Sequence, residues 1–365
     1  MRVLSSTPAA AHLALAIAIA AVTTLTAHAD TKPATPYAPV ELPKLAADTN
    51  QTTVSGISSG AYMAGQFQMA HGQKVIGAAI IAGGPYGCAV SAFSGVFGAS
   101  AAFNLQKAIN GCMLNALAAF GIPNPRVLAR RARRMSGNGE IAPLDALQSH
   151  RIYLFAGTED VIVRPAIVRA ALRFYRVLGV PDRNIRFDSG IAAGHGFVTE
   201  KEGAACATNR QPFVVDCDYD QAGELLRHLY GSLEAAGAPS NGRYVAFKQR
   251  PFTTGVATHG LADVGVAYVP AACEAGDGCR VHIAFHGCDQ ARRLIGDRFV
   301  KRTGFARWAA TNRLIVLFPQ VRPTAFNPQA CWDWWGYTGR KFLTRAAPQI
   351  RAVRRMLDRL GARDG

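Results

Sequence analysis

Short apolar blocks alternate with amphipathic segments along most of this chain. The apolar blocks are rich in Val, Ile, Leu and Phe, which predicts buried strands at Val75–Ala82, Ile152–Ala156, Ile185–Phe187, Val281–Phe285 and Leu314–Phe318. Apolar residues at helical spacing predict helices at Ser59–Gln73, Ala101–Phe120, Pro165–Leu178, Gln221–Tyr230, Phe299–Asn312 and Ala346–Leu360. A β-rich middle covers Tyr244–Thr253 and Val264–Val269. Strands that alternate with helices predict an α/β fold with a mostly parallel sheet and helices on both faces.

The first 29 residues show the regions of a secretory signal peptide in the expected order. Arg2 supplies the positive charge, Leu13–Val22 the apolar core, and Ala27-His28-Ala29 an A-x-A cleavage site. The core is shorter than the roughly 20 residues that a membrane span needs. We therefore expect export to the periplasm or the extracellular space, no transmembrane segment, and a single domain over residues 30–365.

Eight cysteines suit the oxidising compartment that an export signal implies. Cys273 and Cys279 bracket a glycine-rich turn, which makes them the easiest pair to bridge. Three further bridges are expected, although the spacing alone allows many other connectivities: Cys88–Cys112, Cys206–Cys217 and Cys288–Cys331. No C-x-x-C pair and no zinc-type histidine spacing occurs, so we expect no metal site.

The chain carries a formal net charge of +16, nearly all of it outside the leader. Such a balance could attract nucleic acid, anionic lipid or another acidic surface. The densest cluster, Arg130-Arg131-Ala132-Arg133-Arg134, lies in a segment with helical character and is expected to be a solvated face. Because no basic motif interleaved with aromatic residues and no nucleic-acid-binding module is present, we expect no nucleic-acid partner.

A G-x-S-x-G motif stands between a β-prone run and a predicted helix near the start of the mature chain. It consists of Gly56-Ile57-Ser58-Ser59-Gly60 and follows Thr52-Thr53-Val54. In this context the glycines permit the sharp turn of a nucleophile elbow, which exposes the serine hydroxyl at the end of a strand. Ser58 is therefore the candidate nucleophile, and the backbone N–H of Ser59 is one candidate donor to an oxyanion.

A serine nucleophile needs a histidine base and a carboxylate that orients the histidine. Asp160 follows the strand predicted at Ile152–Ala156 by four residues and is favoured as the acid. Glu159 is the competing acid, and a plain surface turn is the structural alternative for both.

His195 is the candidate base, because it lies in a Gly-His-Gly loop shortly after the strand predicted at Ile185–Phe187. His71, His150 and His228 lie on or beside predicted helices, where we expect surface positions.

A second oxyanion donor is expected from a loop of His-Gly character. His286-Gly287-Cys288 follows the predicted strand Val281–Phe285, which makes the Cys288 N–H the candidate. In ordinary α/β-hydrolases this loop precedes the nucleophile, whereas here it follows the base. Cutting such a fold before its elbow strand and joining its old ends would give this order, so we predict a circularly permuted α/β-hydrolase fold. The alternative is that the His-Gly-Cys run is an unrelated structural loop.

Five segments resemble the catalytic domain of bacterial and fungal poly(3-hydroxybutyrate) depolymerases: residues 56–64, 83–88, 157–160, 285–290 and 327–337. The resemblance covers essentially the whole mature chain. It implies that Ser58, Asp160 and His195 form the catalytic triad and that the Ser59 and Cys288 amides form the oxyanion hole. It also implies that three tryptophans border the substrate cleft, with core packing as an equal alternative for each: Trp332, Trp334 and Trp335.

What the resemblance implies about function is hydrolysis of polyester ester bonds through an acyl-enzyme, with no metal or organic cofactor. Secreted members usually carry an additional polymer-binding domain that is not recognised here, so amorphous granules or soluble hydroxyalkanoate oligomers are the expected substrates. A broader carboxylesterase and a non-catalytic protein that binds granules or the envelope stay open as alternatives. The sequence indicates neither oligomeric state, nor acyl side-chain preference, nor exo or endo attack.

Overall fold

A computed structural model describes residues 38–90, 100–113, 121–255, 259–276 and 278–363. The predicted signal peptide lies outside these ranges, as do the last seven residues, 114–120, of the helix predicted at Ala101–Phe120. Within them, no helix has both the length and the apolar character needed to cross a membrane.

Eight strands form one large sheet and three short strands form a second one. The strands of the described residues are β1 (Asp48–Ile57), β2 (Val75–Ile81), β3 (Arg151–Phe155), β4 (Ile185–Asp188), β5 (Phe197–Thr199), β6 (Ala204–Ala205), β7 (Val214–Asp216), β8 (Gly242–Lys248), β9 (Val264–Pro270), β10 (Arg280–Phe285) and β11 (Leu314–Phe318). The large sheet has the order β4-β3-β2-β1-β10-β11-β9-β8. It is parallel except that β9 runs antiparallel to both of its neighbours.

Helices cover both faces of the large sheet, as predicted. They are α1 (Ser59–Ala70), α2 (Ser100–Cys112), α3 (Pro125–Gly137), α4 (Pro165–Val177), α5 (Gln221–Tyr230), α6 (Arg292–Ile295), α7 (Arg298–Arg302), α8 (Phe305–Thr311) and α9 (Pro348–Gly361). Neighbouring residues of β2 point to opposite faces, so Ile80 belongs to the apolar core under α1, α4 and α9, and Ile81 to the core under α5 and α8. The single helix predicted at Phe299–Asn312 is wrong, because Gly304 adopts a left-handed conformation with φ 84° and separates α7 from α8.

The order of strands in the sheet explains the unusual order of the motifs. β1 lies in the middle of the sheet, and the chain then adds β2, β3 and β4 outward on one side. After α5 it returns to the far edge and fills the other side with β8 to β11. A chain that began at β8 and ended at β4 would have the strand order of an ordinary α/β-hydrolase. The fold is therefore of the α/β-hydrolase type with the chain opened at the elbow strand.

The segment that leads into β1 is bonded to the end of α9. The N–H groups of Leu45 and Ala47 both donate to the Leu360 carbonyl at 3.0 Å, and the Ala46 N–H donates to the Ala362 carbonyl at 3.0 Å. β1 then starts beside the start of β10, where Asp48 pairs with Arg280. Residues 45–47 and the end of α9 thus meet at the amino ends of the central parallel strands.

Four disulfides join all the cysteines in the expected pairs: Cys88–Cys112, Cys206–Cys217, Cys273–Cys279 and Cys288–Cys331. The last of them links the loop after β10 to the long segment between β11 and α9, across 43 residues of sequence. It therefore fixes the His-Gly-Cys run to the tryptophan-rich segment.

The expectation that His150 lies on the surface is wrong. This side chain is only 3% exposed, and the protein satisfies both of its nitrogens: Nδ1 accepts a hydrogen bond from Gln68, and Nε2 donates to the Gly72 carbonyl. His282 and His286 are fully buried as well. Burial lowers the pKa of His150 and of His286 to about 4, and that of His282 to about 3.

We expect the free energy of unfolding to fall as the pH drops from 7 to 5. The unfolded chain takes up a proton at each of these histidines near pH 6.5, whereas the folded chain keeps them neutral down to about pH 4. The contribution of the neutral buried histidines to the unfolding free energy is complete above about pH 6.5. It is lost as the pH falls toward 4, by up to about 1.4 kcal/mol per pH unit for each histidine. Burial lowers the pKa of His71 to about 4 as well, so four histidines contribute. Urea denaturation across this range measures the slope, which His150→Gln should reduce by about a quarter. An unfolding free energy that does not change with pH contradicts the prediction.

Candidate active site

The G-x-S-x-G motif forms a tight turn between β1 and α1. Ser58 directly follows β1 with φ 55° and ψ −122°, a strained conformation for a residue with a side chain. The turn is held by the Ser58 N–H, which donates to the Ile81 carbonyl at 3.0 Å. The Ser58 hydroxyl does not cap α1, so it stays available for chemistry at the end of the central strand.

Two glycines of the motif allow the backbone segments to approach each other closely. A Cβ atom on Gly56 would lie 2.1 Å from the Gly60 carbonyl oxygen. One on Gly60 would lie 2.3 Å from the Phe285 oxygen and 2.4 Å from the His286 oxygen. Gly60 thus lets the start of α1 contact the end of β10.

Gly60→Ala is expected to lower kcat/KM by at least about 100-fold, because the added methyl group must push the elbow away from the backbone of Phe285 and His286. We also expect a loss of about 1–3 kcal/mol of unfolding free energy from overpacking. Gly65→Ala is the matched control on the same helix, where a Cβ would meet nothing closer than 3.7 Å. Rates of ester hydrolysis and urea denaturation of both variants test this prediction. Equal activity in the two variants would show that the close approach at Gly60 is not needed for activity.

Asp160 and His195 are hydrogen-bonded to each other in a buried position. The distance from His195 Nδ1 to Asp160 Oδ2 is 2.8 Å, and both residues are 3% exposed. The other carboxylate oxygen accepts the N–H groups of Ile162 and Val163 at 2.9 and 2.8 Å. Both oxygens are thus committed, and Nε2 is the imidazole nitrogen left for a substrate proton. Glu159, the competing acid, is exposed.

Asn209 joins the acid and base loops, and no motif in the sequence points to it. Its Oδ1 accepts the His195 N–H at 2.8 Å and the Val161 N–H at 3.2 Å. Its Nδ2 donates to the Glu159 carbonyl at 3.0 Å. One amide side chain therefore bonds the backbone on both sides of Asp160 as well as that of the base.

The loop after β10, residues 286–290, lies against the nucleophile turn; we call it the oxyanion loop. A Cβ atom on Gly287 would be 3.3 Å from the Ser58 Cβ. His286 accepts the Val321 N–H at Nε2 and donates from Nδ1 to the Gly287 carbonyl at 2.7 Å, which fixes its neutral tautomer. The N–H of Cys288, the candidate donor, has no acceptor among the described residues.

The three tryptophans expected at the substrate cleft are buried. Trp332 is 0% exposed and packs edge-on against Phe285, with ring centroids 5.0 Å apart. Trp334 stacks on Tyr62 at 4.1 Å, and Trp335 packs edge-on against Trp334. The indole N–H groups of Trp332 and Trp334 are buried without a hydrogen-bond partner in the part of the chain that is described. A role of these residues in substrate binding stays a prediction.

Asp333 sets the shape of the tryptophan-rich segment. Its carboxylate accepts backbone N–H groups from Gly336, Tyr337 and Thr338 at 2.7 to 3.0 Å, as well as the Thr338 hydroxyl. Burial raises the pKa of this carboxyl, although these hydrogen bonds act in the opposite direction. The segment is therefore a bonded turn and not a loose loop.

The arrangement has the parts that acyl transfer by a serine requires. A strained serine ends the central strand, an oriented imidazole follows the edge strand β4 of the same sheet, and unbonded backbone N–H groups lie beside the serine. Ser58 and His195 are not hydrogen-bonded to each other here, as is common for such pairs before a substrate binds. The described residues contain no group of three or more His, Cys, Asp or Glu side chains placed to hold a metal ion.

Comparison with known proteins gives two clear relatives, although no protein-family model matches the chain. A poly(3-hydroxybutyrate) depolymerase of Delftia acidovorans is 37% identical over 334 residues, which are 90% of this chain. The matched part is 63% of that protein, so the chain spans less than two thirds of its length. A polyhydroxybutyrate depolymerase of Talaromyces funiculosus is 32% identical over 317 residues, which are 82% of this chain and 86% of the relative.

Solved structures agree with these relatives. A serine-to-alanine variant of a PHB depolymerase in complex with an R3HB trimer has a TM-score of 0.77 and 30% identity, and the match covers 89% of this chain and all of that one. The crystal structure of the PHB depolymerase from Penicillium funiculosum has a TM-score of 0.78 and 29% identity with the same coverage. By sequence and by fold, the chain belongs to the poly(3-hydroxybutyrate) depolymerase family.

Proposed function

We propose that this protein is a serine esterase that hydrolyses poly(3-hydroxybutyrate) or its oligomers through an acyl-enzyme. The observation that carries the proposal is the buried hydrogen bond of 2.8 Å between Asp160 and His195, on loops that follow strands of the same parallel sheet as the Ser58 turn. Membership of the depolymerase family supports the choice of polyester as the substrate class.

In the first half of the reaction, the Ser58 hydroxyl attacks an ester carbonyl carbon. His195 Nε2 takes the hydroxyl proton, and Asp160 stabilises the imidazolium through Nδ1. The same proton then passes to the alcohol oxygen as the ester bond breaks, which leaves an acyl group on Ser58. In the second half, His195 takes a proton from a water molecule, and the water oxygen attacks the acyl carbon. The bond between the acyl group and Ser58 then breaks, Ser58 regains the proton from His195, and the acid product leaves and ionises to a carboxylate.

Negative charge on the carbonyl oxygen is met by the N–H groups of Ser59 and Cys288. Ser59 is the first residue of α1, where backbone N–H groups have no acceptor within the helix and the helix dipole favours an anion. The Cys288 N–H lies on the oxyanion loop, which the Cys288–Cys331 disulfide holds to the tryptophan-rich segment. Donors fixed before the reaction cost no reorganisation when the charge develops, and one such donor contributes about 100- to 1,000-fold to kcat.

The substrate is a chain in which apolar methyl-bearing carbons alternate with ester carbonyls. Aromatic side chains can hold such a chain with little polar recognition, which is the role we propose for Trp334 and Trp335. Trp332 was expected there as well, but it is 0% exposed and packs against Phe285. The R3HB trimer bound by a related depolymerase supports oligomers as one form of the substrate.

Export before function is part of the proposal. We infer that residues 1–29 are removed and that residues 30–365 act as one catalytic domain in the periplasm or outside the cell. All four disulfides support an oxidising destination.

Product analysis by mass spectrometry on amorphous poly(3-hydroxybutyrate) tests the proposal, with initial rates on the hydroxybutyrate trimer and on p-nitrophenyl esters measured alongside. We expect soluble hydroxybutyrate acids and short oligomers from the polymer. Turnover of the aryl esters alone would favour the broader carboxylesterase. Binding to granules without turnover of any ester would favour a non-catalytic granule-binding protein.

A further inference from the structure

Gln290 is a buried side chain whose amide is fully engaged between two loops of the candidate active site. It is 1% exposed. Its Oε1 accepts the Gly287 N–H at 2.6 Å, while its Nε2 donates to the Phe213 carbonyl at 2.7 Å and to the Pro212 carbonyl at 3.3 Å. The acceptor end thus holds the oxyanion loop, and the donor end holds the segment before β7.

On the oxyanion side, these bonds fix the peptide plane that carries the Cys288 N–H. The Gly287 carbonyl, which belongs to the same peptide unit, accepts from His286 Nδ1 at 2.7 Å and from the Gln290 N–H at 3.4 Å. In a trans peptide the N–H points opposite to the carbonyl. The Cys288 N–H therefore points away from the His286 ring. Because the Gly287 N–H donates to Gln290 Oε1, Gly287 is held on its other side as well, and the peptide plane between Gly287 and Cys288 cannot rotate freely.

On the base side, the bond from Gln290 reaches a residue that touches the imidazole. The Phe213 ring stands edge-on to the His195 ring, with centroids 5.7 Å apart and an interplanar angle of 81°. The Phe213 carbonyl also accepts the Phe197 N–H at 2.8 Å, two residues beyond His195. Phe213 has a φ of 54°, an unfavourable value for a bulky residue, so its conformation depends on such bonds.

We propose that Gln290 is a positioning residue that sets the oxyanion loop and the base in a fixed relation to each other. The inference rests on the proposed serine-esterase function and goes beyond it by naming a residue that touches neither substrate nor the reacting atoms. A displacement of the Cys288 N–H relative to the His195 imidazole by less than about 1 Å should lower kcat and leave substrate affinity unchanged, because both groups act most strongly in the transition state.

Only a side chain that accepts at one end and donates at the other can fill this place. Gln290→Leu removes both bonds at nearly the same volume. Gln290→Glu keeps the acceptor for the Gly287 N–H, but a carboxylate faces the Phe213 and Pro212 carbonyls without a proton to donate. A protonated carboxyl again has one donor and one acceptor, so the glutamate variant should regain the arrangement as the pH falls.

The experiment measures kcat and KM on the hydroxybutyrate trimer from pH 5 to 8 for both variants and for Gln68→Leu. Gln68 is the matched control, a fully buried glutamine that bonds His150 and Tyr175 away from the site. We expect Gln290→Leu to lower kcat about 10- to 100-fold with KM within about threefold, and Gln68→Leu to leave kcat per folded molecule unchanged. For Gln290→Glu, the ratio of its kcat to that of the wild type should rise at least about fivefold toward pH 5 as the new carboxyl binds a proton.

The inference would be overturned if both Gln290 variants had the same kcat per folded molecule as Gln68→Leu, and if the ratio of the Gln290→Glu kcat to the wild-type kcat did not change with pH. If Gln290→Leu does not accumulate as folded protein, the glutamate variant of equal size decides by its pH ratio. Wild-type protein without any ester turnover would instead refute the proposed function, so the two failures are distinguishable.

Discussion

Ser58→Ala is expected to lower kcat for ester hydrolysis by about 10⁶-fold, the order seen when a serine nucleophile is removed from its triad. Without the hydroxyl no acyl-enzyme forms, and the remaining donors act only on direct attack by water. The fold should be unaffected, since the Ser58 hydroxyl does not cap α1 and an alanine needs no more space. Trimer hydrolysis and thermal unfolding of the same preparation measure both effects, and binding to amorphous granules should be retained.

Ser59→Ala is the control for this prediction. The Ser59 hydroxyl accepts the backbone N–H of Trp332 at 3.3 Å, whereas the proposed oxyanion donor is the Ser59 backbone N–H, which alanine keeps. We expect kcat within a few-fold of wild type and a loss of about 1 kcal/mol in unfolding free energy. If Ser59→Ala abolished turnover and Ser58→Ala did not, the nucleophile would be Ser59.

Asp160→Asn is expected to lower kcat by about 10⁴-fold, the size of the effect in a serine protease triad. Oδ1 already accepts the N–H groups of Ile162 and Val163, so the amide oxygen of asparagine must stay there and its NH₂ must face His195 Nδ1. Nδ1 then becomes an acceptor and the ring proton moves to Nε2, which can no longer take the proton of Ser58. The pH profile of kcat and the imidazole proton resonance report the tautomer.

Glu159→Gln makes the same chemical change one residue earlier and serves as the control. Glu159 is exposed, and among the described residues only the Thr158 hydroxyl contacts its carboxylate, at 3.5 Å. We expect activity within about twofold of wild type, as for most exposed substitutions. Loss of activity in Glu159→Gln with Asp160→Asn unharmed would assign the acid to the other carboxylate.

Local sequence patterns predict most of the fold. Apolar runs such as Val281–Phe285 and Leu314–Phe318 are long enough and sufficiently β-branched to mark buried parallel strands. The order of the G-x-S-x-G, aspartate, histidine and His-Gly-Cys segments was enough to predict the permuted chain path. The break at Gly304 was missed, because apolar spacing continues across it and a single glycine is tolerated in many helices.

The side chains that hold the site together are not predictable in the same way. Asn209 and Gln290 carry no motif, and their roles arise only when loops distant in sequence meet in space. His150 was misplaced for the same reason, since its partners Gln68 and Gly72 belong to another part of the chain. Amide and imidazole groups in a sequence do not reveal whether water or the protein satisfies them.

The bonds between residues 45–47 and the end of α9 bear on how this protein could be tethered through its C-terminal helix. The end of α9 lies at the amino ends of the central strands, whereas the proposed polymer substrate must approach their carboxyl ends, where the Ser58 turn lies. An affinity tag, a solid support or an adsorbing module joined after α9 would be attached on the side of the sheet away from the Ser58 turn, so we expect immobilisation at that end to leave access to a polymer surface unobstructed.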